Sequence, residues 1–306
     1  MAVPLRGEAD VLSARKIAGF AKSHGVQILH AHTGHAHMIA CLARRFAPAL
    51  KVLVSRRVDF RPSSNWFSRY KYGLPDHYIA ISSAIGRVLA DAGVPSSKIS
   101  VVHSGINVNR LDVTPRTRAE LGLPTEGPLI GNVAALVGHK DHRTLIGAMP
   151  AVLTAFPKAQ LAIVGEGKLR ADLEERIETL NLSKRVHLLG YRTDVPAVLK
   201  VLDVFAMSSV EEGLGTSVLD AMASGVPVAA TDAGGIPEMV RNGMTGLLVP
   251  ARDSVRLAEA IVSLLTDRAL AARLSVNAAE MVSKEFSADA MVEGNIAVYE
   301  RLLGGS

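Results

Sequence analysis

Ser208-Ser209-Val210-Glu211-Glu212-Gly213-Leu214-Gly215-Thr216-Ser217-Val218-Leu219-Asp220-Ala221-Met222-Ala223 is the stretch on which the reading of this chain turns. An apolar run ending at Met207 reads as a strand. Gly213 and Gly215 then free the backbone to approach a ligand, and Thr216 or Ser217 is expected to cap the helix that follows. A helix start of this kind is an anion site, because its exposed N–H groups and positive dipole end face outward. Glu212 falls on the loop and Asp220 about one turn into the helix. Two carboxylates can therefore flank one bound molecule, and carboxylates accept hydrogen bonds from sugar hydroxyls well. Alone, two acids around glycines fit a capped surface loop equally; the surroundings decide between the two.

Outward from this stretch, short Val- and Ile-rich runs alternate with segments of helical period, the pattern of a parallel sheet covered by helices. The fold class is α/β. In the first half, strands are expected at 27–32, 51–55, 77–82 and 100–103, with helices over 11–23, 35–46 and 84–92. In the second half, strands fit 129–133, 160–164, 186–189, 204–207, 226–231 and 246–249, and a final helix covers 288–303. The boundary is expected between Asn107 and Leu129, where Pro115, Pro124, Gly127 and Pro128 break any regular pattern. This gives a partial Rossmann-like domain over 1–110, a complete one over 111–285, and a crossing helix over 286–306.

Composition bounds the function. The 306 residues and 48% hydrophobic content support two domains with sizeable cores. Cys41 is the only cysteine, which rules out an intrachain disulfide and suits a reducing compartment. No stretch has the apolar core of a signal peptide or about 18 uninterrupted apolar residues, so a cytoplasmic protein is expected. The net charge of +5 conceals an asymmetry: residues 1–110 hold 15 Lys/Arg against 5 Asp/Glu, and residues 111–306 hold 19 against 24. A basic first half suits an anionic membrane face or an acidic acceptor, or is simply a soluble basic surface. Nucleic acid is not expected, since aromatics are only 4% and no binding motif interleaves them with the basic residues.

Glu212 and Asp220, seven residues apart, resemble the E-x7-E motif of glycosyltransferase family 4, with Asp at the second position. Gly131-Asn132-Val133-Ala134-Ala135-Leu136-Val137-Gly138-His139-Lys140 is similar to that family's first donor-domain strand and phosphate-binding lysine, with Ala135 where an arginine is usual. The stretch from Gly225 to Glu238, with Gly234, Gly235 and Pro237, is similar to its strand and glycine turn. Tyr78 to Ser82 and Val101 to Asn107 match its passage between domains. The resemblance implies a GT-B fold, two Rossmann-like domains facing a cleft, the first one truncated by roughly the opening sixty or seventy residues, which include a glycine-rich loop facing the donor phosphates.

It further implies a retaining glycosyltransferase that moves a sugar from a nucleoside-diphosphate sugar to an acceptor hydroxyl, with no cofactor and no metal. Glu212 and Lys140 are the expected catalytic residues. Gly213, Leu214, Gly215, Thr216, Ser217, Asp220, Gly165 and Gly190 are expected to bind the donor. Gly165-Glu166-Gly167 lacks the third glycine of a dinucleotide fingerprint and reads instead as one wall of the donor site. On the acceptor side, His32, Arg56 and Arg57 are expected to line the cleft, and the two arginines either hint at an anionic acceptor or only pair with Asp59. His30, His32, His35 and His37 invite a zinc reading, but no cysteine or carboxylate cluster joins them. The expected acceptor is a glycan or lipid-linked molecule of cell-envelope or lipopolysaccharide biosynthesis, reached by peripheral attachment to the inner membrane face. The alternatives are an inactive nucleotide-sugar binder and a GT-B sugar-nucleotide epimerase.

Overall fold

The structure, a computed structural model, describes every residue except 1, 5, 6, 9, 58–61, 64, 115, 305 and 306. Asp59 and Pro115, both used in the sequence reading, lie outside the described residues. The chain divides into two compact units, residues 1–103 with 291–306, and residues 104–290.

In the first unit, β1 (Ile28–Ala31), β2 (Lys51–Arg56), β3 (His77–Ala80) and β4 (Ile99–Val101) form an all-parallel sheet in sequence order. Its helices are α1 (Val11–Ser23), α2 (Gly34–Phe46), α3 (Trp66–Gly73) and α4 (Ser83–Asp91). Short polar residues start them: Asp10 accepts from Ser13 N at 3.0 Å, Thr33 from Ala36 N at 3.2 Å, and Asn65 from Ser68 N at 2.8 Å. One cluster joins Ala14, Ala18 and Ala21 of α1 to Ile39 and Ala43 of α2, and a second places Leu53 and Ile79 under Val298 of the last helix, α12 (Ala288–Leu302).

The second unit carries β5 (Leu129–Val133), β6 (Gln160–Val164), β7 (Val186–Leu188), β8 (Val204–Met207), β9 (Val228–Thr231) and β10 (Leu247–Val249). All are parallel, in the order β10-β9-β8-β5-β6-β7. Read from the other edge this is the doubly wound order 3-2-1-4-5-6, with its switch point between β5 and β8. Helices α5 (His142–Ala155), α6 (Arg170–Thr179), α7 (Val195–Leu199), α8 (Thr216–Ala223), α9 (Ile236–Met239), α10 (Ser254–Thr266) and α11 (Arg268–Glu285) complete the unit. One continuous core runs from Ile130, Leu145 and Met149 through Leu161 and Ile163 to Ile261, Leu264 and Leu274.

The division differs from the expected one after Arg110. Residues 104–110 belong to the second unit because Ile106 N donates to Phe286 O at 2.9 Å and Ala288 N to Ile106 O at 3.0 Å. Gly105 lies so close to the segment at 286–288 that a Cβ would meet the Ser287 carbonyl at 2.0 Å. From Met291 onward α12 belongs to the first unit, where Gly294 abuts Val102 and Tyr299 bonds His30 at 2.7 Å.

Candidate active site

In an open parallel sheet the strands on either side of the switch point diverge at their carboxyl ends, and the crevice this leaves is where ligands bind. The loops leaving β5 and β8 are the two that carry Lys140 and Glu212. Backbone bonds tie these loops together: Val210 N donates to His139 O at 2.8 Å, and Ser208 Oγ to Lys140 O at 2.9 Å. Lys140 Nζ and Glu212 Oε2 form an ion pair in a largely buried setting. Ser209 Oγ also reaches Glu212 Oε2, at 3.4 Å.

The glycine turn at 234–235 fixes the Glu212 backbone. Gly234 has φ of 56°, and a Cβ on it would stand 2.0 Å from Glu212 O, while Gly235 N donates to that same oxygen at 2.9 Å. What the sequence presents as a structural turn is thus the support of a site residue.

The start of α8 corrects the expected cap. Neither Thr216 nor Ser217 caps it: Gly215, left-handed at φ of 80°, is the cap residue, and no side chain bonds the first-turn N–H groups. Val218 N donates to Gly215 O at 2.9 Å, which leaves the N–H groups of Thr216 and Ser217 to face an anion. Asp220 is 7% exposed and its Oδ1 pairs with Arg110. Burial raises the Asp220 carboxyl above its ordinary value, and the hydrogen bond from Arg110 opposes that shift. Among the described residues Oδ2 has no side-chain partner, so Asp220 meets Arg110 with one oxygen and leaves the other open. Sequence reasoning missed Arg110. It stands 110 positions before its partner, and the only available signal was its place just after Asn107 in the passage between domains.

Gly165 and Gly190 face each other, with Gly165 N donating to Gly190 O at 2.9 Å. Gly165 adopts φ of 144° and leaves no room for a side chain, since a Cβ would meet Ala134 O at 2.0 Å. Both glycines thus pack the turns beside the β5 loop. His142, next to Lys140, is buried; Asn132 Nδ2 donates to Ala206 O, so Asn132 Oδ1 takes the proton on His142 Nε2 at 3.1 Å. Burial, then Lys140, lowers this imidazole to about 4.

In the first unit the structure separates residues that the sequence groups. His30 is tied down, Nδ1 to Tyr299 Oη at 2.7 Å and Nε2 to Ser55 Oγ at 2.8 Å, and burial, then His32 and Arg57, lowers it to about 4. His32 is exposed and lies ring to ring with His30 at 4.1 Å. Arg56 is the correction here: it is 7% exposed, its guanidinium donating to Tyr72 Oη and lying over that ring, so of the two arginines only Arg57 is exposed. Among the described residues, no three His, Cys, Asp or Glu side chains converge as metal ligands, and no helix is long and apolar enough to cross a membrane.

Known proteins resemble this chain in sequence and in fold. The family model "Glycosyl transferases group 1" matches residues 113–281, and "Glycosyltransferase Family 4" matches residues 2–110. The chain is 26% identical over 305 residues to N-acetyl-alpha-D-glucosaminyl L-malate synthase of Bacillus anthracis, covering 96% of this chain and 80% of that one. It is 29% identical over 288 residues to the lipopolysaccharide core biosynthesis mannosyltransferase LpsB of Rhizobium meliloti, covering 90% of this chain and 80% of LpsB. HepE of Anabaena, solved with UDP and glucose, superposes with a TM-score of 0.82 at 23% identity, covering 97% of this chain and 84% of HepE. The chain belongs to the group 1 glycosyl transferases of family 4, with the α/β GT-B fold, and is a hexosyl glycosyltransferase.

Proposed function

We propose that this enzyme transfers a hexosyl group from a nucleoside-diphosphate sugar to an acceptor hydroxyl with retained anomeric configuration. The observation that carries the reading is the Lys140–Glu212 pair at the switch point, beside an α8 start whose N–H groups no side chain caps. The donor diphosphate sits on those N–H groups and draws Lys140 away from Glu212. Glu212 is then left to accept hydrogen bonds from the transferred sugar, and Asp220 Oδ2 to accept them from the ribose. In the transfer the bond between the anomeric carbon and the phosphate oxygen breaks as the acceptor oxygen bonds that carbon on the same face. The acceptor proton passes to the departing phosphate, whose growing charge Lys140 and the helix start offset. No protein nucleophile is needed, and the cationic groups stand where other transferases use a divalent ion.

A UDP-type donor is supported by the ligands of HepE, and a glycan or lipid-linked acceptor of the cell envelope by the stated role of LpsB. Peripheral attachment to an anionic membrane fits α3, which exposes Trp66 (78%), Phe67 and Tyr70 beside Arg69 in the basic half of the chain. The test is Glu212→Ala: sugar transfer should fall well over tenfold, on the order of 2–4 kcal/mol of lost transition-state stabilisation. Turnover at the wild-type rate would remove Glu212 from the mechanism.

A further inference from the structure

Behind the start of α5 lies a cavity of 390 Å³ lined by Arg143, Thr144, Arg176, Arg252 and Ser254. It contains none of the residues assigned to the donor. Three guanidinium groups from three separate elements share it, the second residue of α5, the last turns of α6, and the loop before α10. Among the described residues none of the three forms an ion pair, and Arg176 Nε is buried without a hydrogen-bond partner.

Two nearby carboxylates are engaged elsewhere. Asp141 accepts from Thr144 Oγ1 at 2.6 Å, and Asp253 caps α10 by accepting from Arg256 N at 2.9 Å. The Arg176 guanidinium lies against α5 at Gly147, where a Cβ would stand 3.4 Å from Arg176 Nη2, within ordinary contact. Arg252 adopts φ of 64°, a left-handed conformation unusual for a side chain of its size. Three like charges in one concavity repel one another, and an anion placed among them converts repulsion into charge-assisted hydrogen bonds.

We propose that this cavity is a second anion site, taking a small phosphate-bearing molecule with two or more negative charges. A guanidinium fork matches phosphate oxygens two at a time, and three such forks suit a diphosphate better than a monovalent anion.

The probe is inorganic pyrophosphate, titrated calorimetrically. Because the donor site also favours pyrophosphate, the titration is made in a Lys140→Ala background as well as in the wild type. Binding should persist in Lys140→Ala and weaken at least tenfold when Arg176→Gln and Arg252→Gly are added. Arg252→Gly places glycine at a left-handed position, so its melting temperature should hold or rise, which separates a lost ligand from a lost fold. Sodium chloride at matched ionic strength should not displace the bound pyrophosphate. Absence of binding in Lys140→Ala, equal affinity with and without the two arginines, or displacement by chloride would overturn the proposal. None of these results bears on whether a nucleotide sugar binds beside α8.

Discussion

The two units solve the same problem, a parallel sheet flanked by helices, to different degrees. The second has six strands, and around its switch point stand the pairs Lys140 with Glu212 and Arg110 with Asp220. The first has four strands, and among its described residues large side chains stand in solvent on α1 and α3, among them Leu12 and Trp66. A rigid, preorganised charge constellation needs packing on all sides to keep its members from relaxing into water.

The comparison breaks first at the chemistry. Lys140→Met removes the diphosphate contact and leaves the Glu212 carboxylate buried without its cation, so initial transfer rates should drop about a hundredfold or more. Arg57→Gln, in the other unit, should change the acceptor KM with little change in kcat. Equal losses in kcat from both would erase the division of labour.

Stability comes next. Leu145→Ala, fully buried in the second unit, should cost about 2–5 kcal/mol in denaturant melts. Leu53→Ala, equally buried beside Ile79 and Val298, should cost about 2–5 kcal/mol as well. A cost below about 1 kcal/mol at either position would contradict its place in a packed core.

Acid should act on both units. Burial holds His37 of the first unit and His142 of the second at about 4, below the ordinary 6.5. A lowered folded pKa means the unfolded chain takes up the proton first. The stability from the neutral imidazoles is therefore complete above pH 6.5 and is lost as pH falls toward 4, on the order of 2–3 kcal/mol for each. Thermal melts between pH 7 and pH 4.5 should show this decline, and His142→Gln should flatten part of it.

The smallest effect is the most diagnostic of a surface role. Trp66→Ser should alter stability by no more than about 0.5 kcal/mol, since the ring is mostly in solvent. It should nevertheless weaken co-sedimentation with phosphatidylglycerol vesicles, and high salt should weaken it further. Unchanged sedimentation under both conditions would end the membrane reading.

Much of the second unit is legible in the sequence because its strands are buried on both faces: 129–133, 160–164 and 204–207 are mostly apolar and stand in the structure at those bounds. β9 starts at Val228 rather than 226 because Pro227 has no N–H to give the ladder. The order of strands is invisible to a linear pattern, and with it the reason that Lys140 and Glu212 meet. Arg110 escaped for the same reason, as a contact spanning 110 residues leaves no local trace. The left-handed Gly215 displaced the expected hydroxyl cap, and a Tyr72 ring drew Arg56 inward. Helix α3 was unseen because eight residues rich in aromatics carry little helical period, and its start depends on the single cap Asn65.

Whether an anion rests on the start of α8 is open to direct measurement by titrating UDP, GDP and ADP into the wild type and Lys140→Ala. At least one diphosphate should bind the wild type and lose tenfold or more in the variant. Heats indistinguishable from dilution for all three, or an affinity that Lys140→Ala leaves untouched, would contradict it.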